Sequence, residues 1–263
     1  MTINTAPDPR LIKEYMQLQG FFSKNPRIAV AYSGGADSSY LLFAAKDAGC
    51  DVRAYFIKSQ FQPGFERDDA VRLAESIGVR LTVGTFDALR DPLIAQNAAD
   101  RCYYCKTAIL SKIWELARAD GYDILCDGTN ADDDESGRPG MRALREKGVV
   151  SPLRECGLTK DKIRAMSKQA GLFTHDKPSY SCLATRIPAD TRITEEILKK
   201  VENAENALFD MGFADLRVRL LPPDGAKLQL PAAQWEAAAA RRVEILTALR
   251  PWFGDVVLDL APR

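Results

Sequence analysis

An apolar run that leads into two glycines, several hydroxyls and a carboxylate is the part of this sequence best suited to hold a phosphate. Residues 28–32 read Ile-Ala-Val-Ala-Tyr, and the segment that follows reads Ser-Gly-Gly-Ala-Asp-Ser-Ser and leads into an apolar helix. Backbone N–H groups at a helix N-terminus favour a negative charge, and paired glycines let the backbone approach it closely. A glycine turn with a Ser/Asp helix cap is the simpler alternative. We expect phosphate contacts from Ser33, Gly34, Gly35, Asp37, Ser38 and Ser39, with Asp37 placed to hold Mg²⁺ or an ordered water.

Three of the six cysteines have a spacing that suits metal binding or sulfur chemistry. Cys102 and Cys105 form a Cys-x-x-Cys pair at the start of a predicted helix, and Cys182 lies in a loop. Zinc normally takes four ligands, for which Cys126 and His175 are the spare candidates. Three cysteines without a fourth suit a [4Fe-4S] cluster with one open iron, or a redox role for the sulfur. The other cysteines are expected to be inert thiols: Cys50, Cys126 and Cys156.

The overall composition excludes several classes of partner. Lysine plus arginine and aspartate plus glutamate each total 36 among 263 residues, and there is one histidine. Balanced charge argues against nucleic acid as a partner, because binding through many phosphates needs surplus cations. The N-terminal residues do not resemble a signal peptide, and no window approaches the ~18 apolar residues of a membrane span. We therefore expect a cytoplasmic protein with reduced thiols and no membrane partner.

Alternating strands and helices must position these residues. Short β-branched runs alternate with amphipathic stretches over the first 180 residues, which predicts a doubly wound parallel α/β sheet covered by helices. After Pro188 the order changes to a helix, two strands, a helix and a last strand, which is typical of a smaller α+β domain. We therefore predict two domains, 1–190 and 191–263. The strands expected in the sheet are Arg27–Ala31, Val52–Ile57, Arg80–Thr85, Asp123–Cys126 and Val149–Val150.

A second loop strengthens the phosphate-binding hypothesis and leads to a resemblance. Residues 125–133 read Leu-Cys-Asp-Gly-Thr-Asn-Ala-Asp-Asp at the end of a predicted strand, the edge where open parallel sheets bind ligands. Together with the Ser-Gly-Gly-x-Asp-Ser loop and the Ser-Pro-Leu at 151–153, this segment resembles the PP-loop ATP pyrophosphatase superfamily. The spacing of a Walker A loop is absent. The resemblance implies cleavage of ATP between its α and β phosphates, with Asp127 and Asn130 in the ATP site.

The cysteine segments narrow the resemblance further. Arg-Cys-x-x-Cys-Lys at 101–106 and Lys-Pro-x-x-x-Cys-Leu-Ala-Thr-Arg-Ile-Pro at 177–188 resemble the LarE-type ATP-dependent sulfur transferases, and the likeness covers essentially the whole first domain. It implies adenylylation of the carboxylates of pyridinium-3,5-biscarboxylic acid mononucleotide and their conversion to thiocarboxylates. That product is a precursor of the nickel-pincer nucleotide of lactate racemase.

The resemblance also implies roles for individual residues. Because all three cysteines are present, the resemblance favours a mode in which a [4Fe-4S] cluster on Cys102, Cys105 and Cys182 receives sulfide from a donor and delivers it. In the alternative mode, Cys182 gives up its own sulfur and becomes dehydroalanine. Asp37 and Cys182 would be the catalytic residues. Guanidinium groups match phosphates and carboxylates, so the substrate ligands would be Arg186, Arg217 and Arg219. A solvated strand face is the alternative for the last two.

Two other functions compete with this one. A tRNA thiolase would use the same loop and three cysteines, although zero net charge and no basic or aromatic extension count against it. A non-catalytic, zinc-stabilised nucleotide-binding module is the other. The sequence leaves the oligomeric state open, a homo-oligomer included.

Overall fold

The computed structural model describes residues 9–134 and 139–263 of the chain. No helix in these ranges is long and apolar enough to cross a membrane. The strands are Arg27–Ala31 (β1), Asp51–Lys58 (β2), Arg80–Thr85 (β3), Leu125–Asp127 (β4), Arg217–Leu221 (β5), Gly225–Gln229 (β6) and Asp255–Leu258 (β7). The α-helices are Ile12–Lys24 (α1), Ala36–Asp47 (α2), Gly64–Ile77 (α3), Pro92–Ala95 (α4), Arg101–Ala119 (α5), Pro139–Glu146 (α6), Pro152–Glu155 (α7), Lys160–Gln169 (α8), Glu195–Asp210 (α9), Trp235–Ala240 (α10) and Arg242–Leu249 (α11). Short 3₁₀ helices cover Pro9–Leu11, Ala88–Arg90, Leu183–Arg186 and Ala232–Gln234.

A four-stranded parallel sheet is the centre of the first of two compact units, whose described residues are 9–59, 64–86, 102–134 and 139–177. The strand order is β3-β2-β1-β4, and Val150 extends the sheet through a parallel bridge to Cys126. Because β2 and β4 flank β1 on opposite sides, the chain direction across the sheet reverses there. Ligands bind at such a switch point, beyond the carboxyl ends of the strands. The loops after β1 and β4 therefore begin side by side at this edge, with Ala31 paired to Asp127.

Helices cover both faces of this sheet, which confirms the predicted doubly wound α/β class. Successive strand residues point to opposite faces. In β1, Ile28 and Val30 therefore belong to one buried cluster, which includes residues of α1, α2 and α8, whereas Ala29 belongs to another, which includes residues of α5 and α6. Both faces of the strand are apolar because both are buried.

The second unit comprises residues 60–63, 87–101 and 178–263 and contains a separate three-stranded sheet. In it β5 runs antiparallel to β6, and β6 runs parallel to β7. Helix α9 begins at its N-cap Thr194, whose Oγ1 accepts a hydrogen bond from the Ile197 N–H at 3.2 Å. This helix and sheet match the α+β unit expected after residue 190.

The second unit also contains segments that the sequence prediction assigned to the first domain. The Leu183 N–H donates to the Phe61 carbonyl at 2.8 Å, and the Ile193 N–H donates to the Ala95 carbonyl at 2.7 Å. The Asn97 amide donates to the Pro188 carbonyl at 2.8 Å. These bonds join stretches separated by about a hundred residues or more, so no local pattern indicates them. The division of the chain into functional domains at residue 190 stays a prediction.

Candidate functional site

The loop after β1 is held in shape by its own hydroxyl groups. The hydroxyls of Ser33 and Ser38 are hydrogen bonded at 3.0 Å, and the Gly35 N–H donates to Ser33 Oγ at 3.3 Å. Gly34 has a φ of 75°, and a Cβ there would lie 3.0 Å from the Glu66 carbonyl oxygen. Gly35 is the N-cap of α2 and has no side chain to cap the helix. The first N–H groups of α2 are therefore suited to an external anion.

Asp37 connects this loop to the loop after β4. Its Oδ2 accepts hydrogen bonds from Asn130 Nδ2 at 3.1 Å and from Lys160 Nζ at 2.7 Å. Its Oδ1 is buried and has no hydrogen-bond partner among the described residues. A buried carboxylate oxygen without a donor is poorly solvated, and Mg²⁺ takes carboxylate oxygens as ligands. The oxygen therefore fits the magnesium ion or ordered water predicted for Asp37.

Asp127 organises the second loop. Its Oδ1 accepts from the Ser151 hydroxyl at 2.7 Å and from the Thr129 N–H at 3.2 Å, while its Oδ2 accepts from the Thr129 hydroxyl at 2.6 Å. The residue is buried. These bonds explain why the loop needs a carboxylate at this position, and the predicted contact of Asp127 with ATP stays a prediction.

Gly128 is required where the two loops approach each other. A Cβ at this position would lie 2.6 Å from the Ser38 backbone nitrogen and 2.8 Å from the Ser38 Cα. We expect Gly128→Ala to cost about 1–3 kcal/mol through overpacking, and the displaced loop to bind ATP roughly tenfold more weakly. Isothermal titration with ATP checks this. Gly20→Ala is the control, because nothing lies within 4 Å of a Cβ there; equal ATP affinity of the two variants would contradict the prediction.

Two lysines contact the phosphate-binding loop after β1 and the start of α2, and the sequence analysis did not predict these contacts. Lys177 Nζ donates to the Gly34 carbonyl at 3.2 Å and lies 2.9 Å from Asp69 Oδ2. Lys160 was not predicted at all, yet it contacts Asp37. Lys160 is the first residue of α8, after the N-cap Thr159, and no local signal in the sequence indicates its contact with Asp37.

The cysteines differ in burial and in unit. Cys102 is exposed and Cys105 half-buried, both in the first turns of α5, and Cys182 is half-buried in the second unit. The structure shows no disulfide among its described residues, which include all six cysteines. Within the same ranges, no three His, Cys, Asp or Glu side chains are close enough to hold a metal ion. That Cys102, Cys105 and Cys182 together bind one cluster stays a prediction.

Glu205 fixes the loop on which Cys182 lies. Arg186 donates to this carboxylate from Nε at 2.8 Å and from Nη2 at 3.1 Å, and the Tyr180 hydroxyl also donates to it. The Val218 N–H adds a bond of 2.9 Å. Arg186 Nη1 donates to the Ser181 carbonyl at 2.8 Å, and Arg186 is only 1% exposed. The structure thus gives Arg186 the role of holding this loop, and the predicted substrate contact would require these bonds to break.

The two arginines of β5 are also in contact with this loop. Arg217 Nη2 donates to the Ser179 carbonyl at 2.6 Å, and Arg219 Nη1 donates to the Thr185 carbonyl. Burial lowers the pKa of Arg217 to about 10, and the positive charge of nearby Arg186 is the second cause. The same two causes lower the pKa of Arg219. Arg217 is buried, so the alternative of a solvated strand face is wrong for it. Desolvated guanidinium groups are suited to bind an anion.

Comparison with known proteins establishes the family. No protein-family model matches the chain. It is 35% identical to an uncharacterized protein of Synechocystis sp., over 82% of this chain and 81% of that protein. It is 34% identical to the pyridinium-3,5-bisthiocarboxylic acid mononucleotide synthase of Lactiplantibacillus plantarum, over 79% of this chain and 76% of that protein.

The chain belongs to the LarE-type family of ATP-dependent sulfur transferases. A more distant likeness supports the PP-loop assignment of its first unit. The tRNA-specific 2-thiouridylase MnmA of Pseudothermotoga lettingae is 25% identical over 57% of this chain and 54% of that protein. LarE-type and MnmA proteins are both ATP-using sulfur transferases, and the likeness to MnmA indicates a PP-loop domain in this chain.

Family membership makes the reactivity of the six thiols a direct test of their predicted roles. Cys50, Cys126 and Cys156 are buried, and burial raises the pKa of each, that of Cys156 to about 11. A raised pKa lowers the thiolate fraction, so at about pH 8 we expect these three to resist alkylation. Iodoacetamide with peptide mapping should label the three accessible cysteines of the native protein: Cys102, Cys105 and Cys182. Denaturation should expose all six, and fast labelling of Cys126 in the native protein would contradict the assignment.

Proposed function

We propose that this protein uses ATP to adenylylate the carboxylates of pyridinium-3,5-biscarboxylic acid mononucleotide and converts them to thiocarboxylates. The observation that supports this best is the pair of loops at the switch point of the first sheet, where one buried oxygen of Asp37 has no hydrogen-bond partner among the described residues. This arrangement is suited to a magnesium–nucleotide complex. The Lactiplantibacillus plantarum relative is a synthase of pyridinium-3,5-bisthiocarboxylic acid mononucleotide. The corresponding dicarboxylated mononucleotide would therefore be the substrate here, and the product would be a precursor of a nickel-pincer nucleotide.

Activation precedes sulfur transfer because a carboxylate is a poor electrophile. A carboxylate oxygen of the substrate attacks the α-phosphorus of ATP, and pyrophosphate leaves with the electrons of the broken P–O bond. Sulfur then attacks the acyl carbon, and AMP leaves with the former carboxylate oxygen. Each step breaks one bond to a stable leaving group, which is the purpose of the ATP.

The first unit supplies the groups for the activation step. We propose that the backbone N–H groups and hydroxyls of Ser33–Ser39 hold the pyrophosphate portion of ATP, with Lys177 as a further cation. Asp37 would hold Mg²⁺ through its Oδ1, since this carboxylate oxygen is buried and has no hydrogen-bond partner among the described residues. When bound, the ion would neutralise charge that builds at the α-phosphate during attack.

The second unit supplies candidates for the substrate and the sulfur. We propose that Arg217 and Arg219 bind the substrate's phosphate or carboxylates, because guanidinium groups match both geometrically. As for Arg186, such contacts would replace the present bonds to backbone carbonyls. The loop around Cys182 is positioned by Glu205 and Arg186. The cytoplasmic location that the sequence predicts is part of this proposal.

We propose that a [4Fe-4S] cluster on Cys102, Cys105 and Cys182 delivers the sulfur. The donor set supports this, because these are the accessible cysteines and the other three are buried. When bound, such a cluster would present sulfide, replenished by an external donor, on its open iron. In the alternative, Cys182 gives up its own sulfur. That mode needs no other cysteine and permits only one turnover per chain.

Anaerobic purification followed by assay tests these proposals. Pyrophosphate should form only when ATP, Mg²⁺ and the dicarboxylated pyridinium mononucleotide are all present, and mass spectrometry should show oxygen replaced by sulfur. A pyridinium mononucleotide without carboxylates is the matched control. About four irons per chain, with equal sulfide, would support the cluster. Pyrophosphate release that requires tRNA instead would favour the thiolase function of the MnmA relatives.

A further inference from the structure

We infer that Arg263 is a positioning residue for the proposed reaction: it holds the Ser179 carbonyl while Arg217 leaves that carbonyl to bind an anionic group of the substrate. The segment that carries Cys182 therefore stays in place during binding. This inference rests on the proposed role of Arg217 as a substrate ligand, and it adds a residue that lies outside the sequence motifs.

Two guanidinium groups share one carbonyl oxygen at the start of this segment. The Ser179 carbonyl accepts a hydrogen bond from Arg217 Nη2 at 2.6 Å and another from Arg263 Nη2 at 3.0 Å. A carbonyl oxygen has two lone pairs and can accept both bonds. Arg263 lies 84 positions after Ser179, so the fold brings these two residues together. When one arginine leaves, the carbonyl keeps the other as its donor.

The second unit fixes both the backbone and the side chain of Arg263. Its N–H donates to the Leu230 carbonyl at 3.1 Å, directly after β6. Its Nη1 donates to the Asp215 carbonyl at 2.6 Å and also pairs with the Asp215 carboxylate. The Arg263 side chain is only 21% exposed. Arg263 therefore has a counter-ion of its own, and its position does not depend on a bound substrate.

The charge of Arg217 lacks such compensation. Among the described residues it forms no ion pair, although it is buried, and its hydrogen bonds go to two backbone carbonyls. Burial, followed by the positive charges of Arg186 and Arg263, lowers the pKa of Arg217 to about 10. A buried cation without a counter-ion is unfavourable, and an anion relieves that cost. An incoming phosphate or carboxylate should therefore draw Arg217 and leave Arg263 with Asp215.

The hold on Ser179 matters because Cys182 follows three residues later. Arg186 Nη1 donates to the Ser181 carbonyl at 2.8 Å, and Glu205 fixes Arg186. The Ser179 carbonyl is a separate attachment of the same segment. If an arginine that binds substrate were its only donor, binding would loosen the residues that position the sulfur source. The second donor removes this conflict.

Amide hydrogen exchange of residues 179–187, measured on the full chain with and without inorganic phosphate, tests this assignment. Phosphate represents the anionic groups of the substrate, and chloride at equal ionic strength is the salt control. In the wild type, phosphate should not accelerate exchange of the segment. In Arg263→Gln it should accelerate exchange about tenfold, since the carbonyl then loses its last charged donor as Arg217 turns to the anion. The matched control is Arg241→Gln, because Arg241 also pairs with an acidic residue and donates to a backbone carbonyl, that of Met211.

A purely structural role predicts a different result. If Arg263→Gln exchanges at the same rate with and without phosphate, whether that rate is fast or slow, Arg263 only supports the fold and the inference is overturned. The double variant Arg217→Gln/Arg263→Gln should lose the phosphate effect, because no arginine then leaves the Ser179 carbonyl. Persistence of the effect in the double variant would overturn the assignment of the moving group to Arg217.

Sulfur transfer by the holoenzyme separates this inference from the proposed function. Arg263→Gln should lower kcat about tenfold and change KM for the dicarboxylated mononucleotide by no more than about twofold, since the substrate ligand is intact and the sulfur source is misplaced. Arg217→Gln should instead raise KM. A raised KM with unchanged kcat in Arg263→Gln would overturn the positioning role. If the wild type forms no thiocarboxylate, the proposed function fails, and the exchange experiment still decides the role of Arg263.

Discussion

Replacement of Cys182 by alanine is expected to abolish thiocarboxylate formation while pyrophosphate release continues. Both proposed sulfur sources need this thiol, either as a cluster ligand or as the sulfur itself. The activation step depends instead on the loops of the first unit, in which Asp37 lies. We expect a loss of about a thousandfold or more in sulfur transfer, as is usual when an essential catalytic group is removed. Pyrophosphate assay and mass spectrometry of the nucleotide measure the two steps separately.

Two further variants decide what such a loss means. Cys156→Ala removes a buried thiol and should leave both steps unchanged. Cys105→Ala should abolish sulfur transfer if a cluster is the source, but should permit one turnover per chain if Cys182 is sacrificed. Thiocarboxylate formed by Cys182→Ala at the wild-type rate would show that neither source is correct.

Local patterns predict the architecture of the first unit well, because its signals are short in sequence. Glycine follows the last apolar position of a helical pattern at residues 49, 78, 121 and 171, which predicts a helix end there, and all four glycines have positive φ values. The first strand was expected at Arg27–Ala31 and lies there. A parallel sheet places the ends of β1 and β4 on the same edge whatever the details of packing, so a shared edge was predictable. That the two loops are neighbours depends on the strand order, which only the structure shows.

The contacts that sequence analysis missed depend on distant partners. Lys160 contacts Asp37, and Lys177 contacts the carbonyl of Gly34, which lies 143 positions earlier in the chain. Glu205 looks like any acidic residue of an amphipathic helix, yet it is fully buried. Arg186 stands in a recognisable motif, but the motif does not reveal that its guanidinium group faces Glu205. Such pairs arise only when elements pack, and no periodicity encodes them.

Glu205→Ala is expected to produce the largest loss of stability among single substitutions in the second unit. It leaves the Arg186 guanidinium group, 1% exposed, without its carboxylate, and it removes the acceptor for the Tyr180 hydroxyl and the Val218 N–H. Removal of one partner of a buried ion pair costs about 3–5 kcal/mol, since a charge remains buried and uncompensated. Denaturant unfolding of the full chain, followed by fluorescence and circular dichroism, measures the change in free energy.

Substitutions on the same helix distinguish the loss of the charge from the loss of the side chain. Glu205→Gln keeps acceptor and shape but not the charge, so its loss should fall between those of wild type and Glu205→Ala. Glu196→Ala, at an exposed position of α9, should change stability by no more than about 0.5 kcal/mol. Native-state alkylation of Cys182 should accelerate in Glu205→Ala, because the loop is then held by fewer bonds. If Glu205→Ala is as stable as Glu196→Ala, the buried carboxylate does not hold the loop, and Arg186 becomes available as the substrate ligand that the sequence predicted.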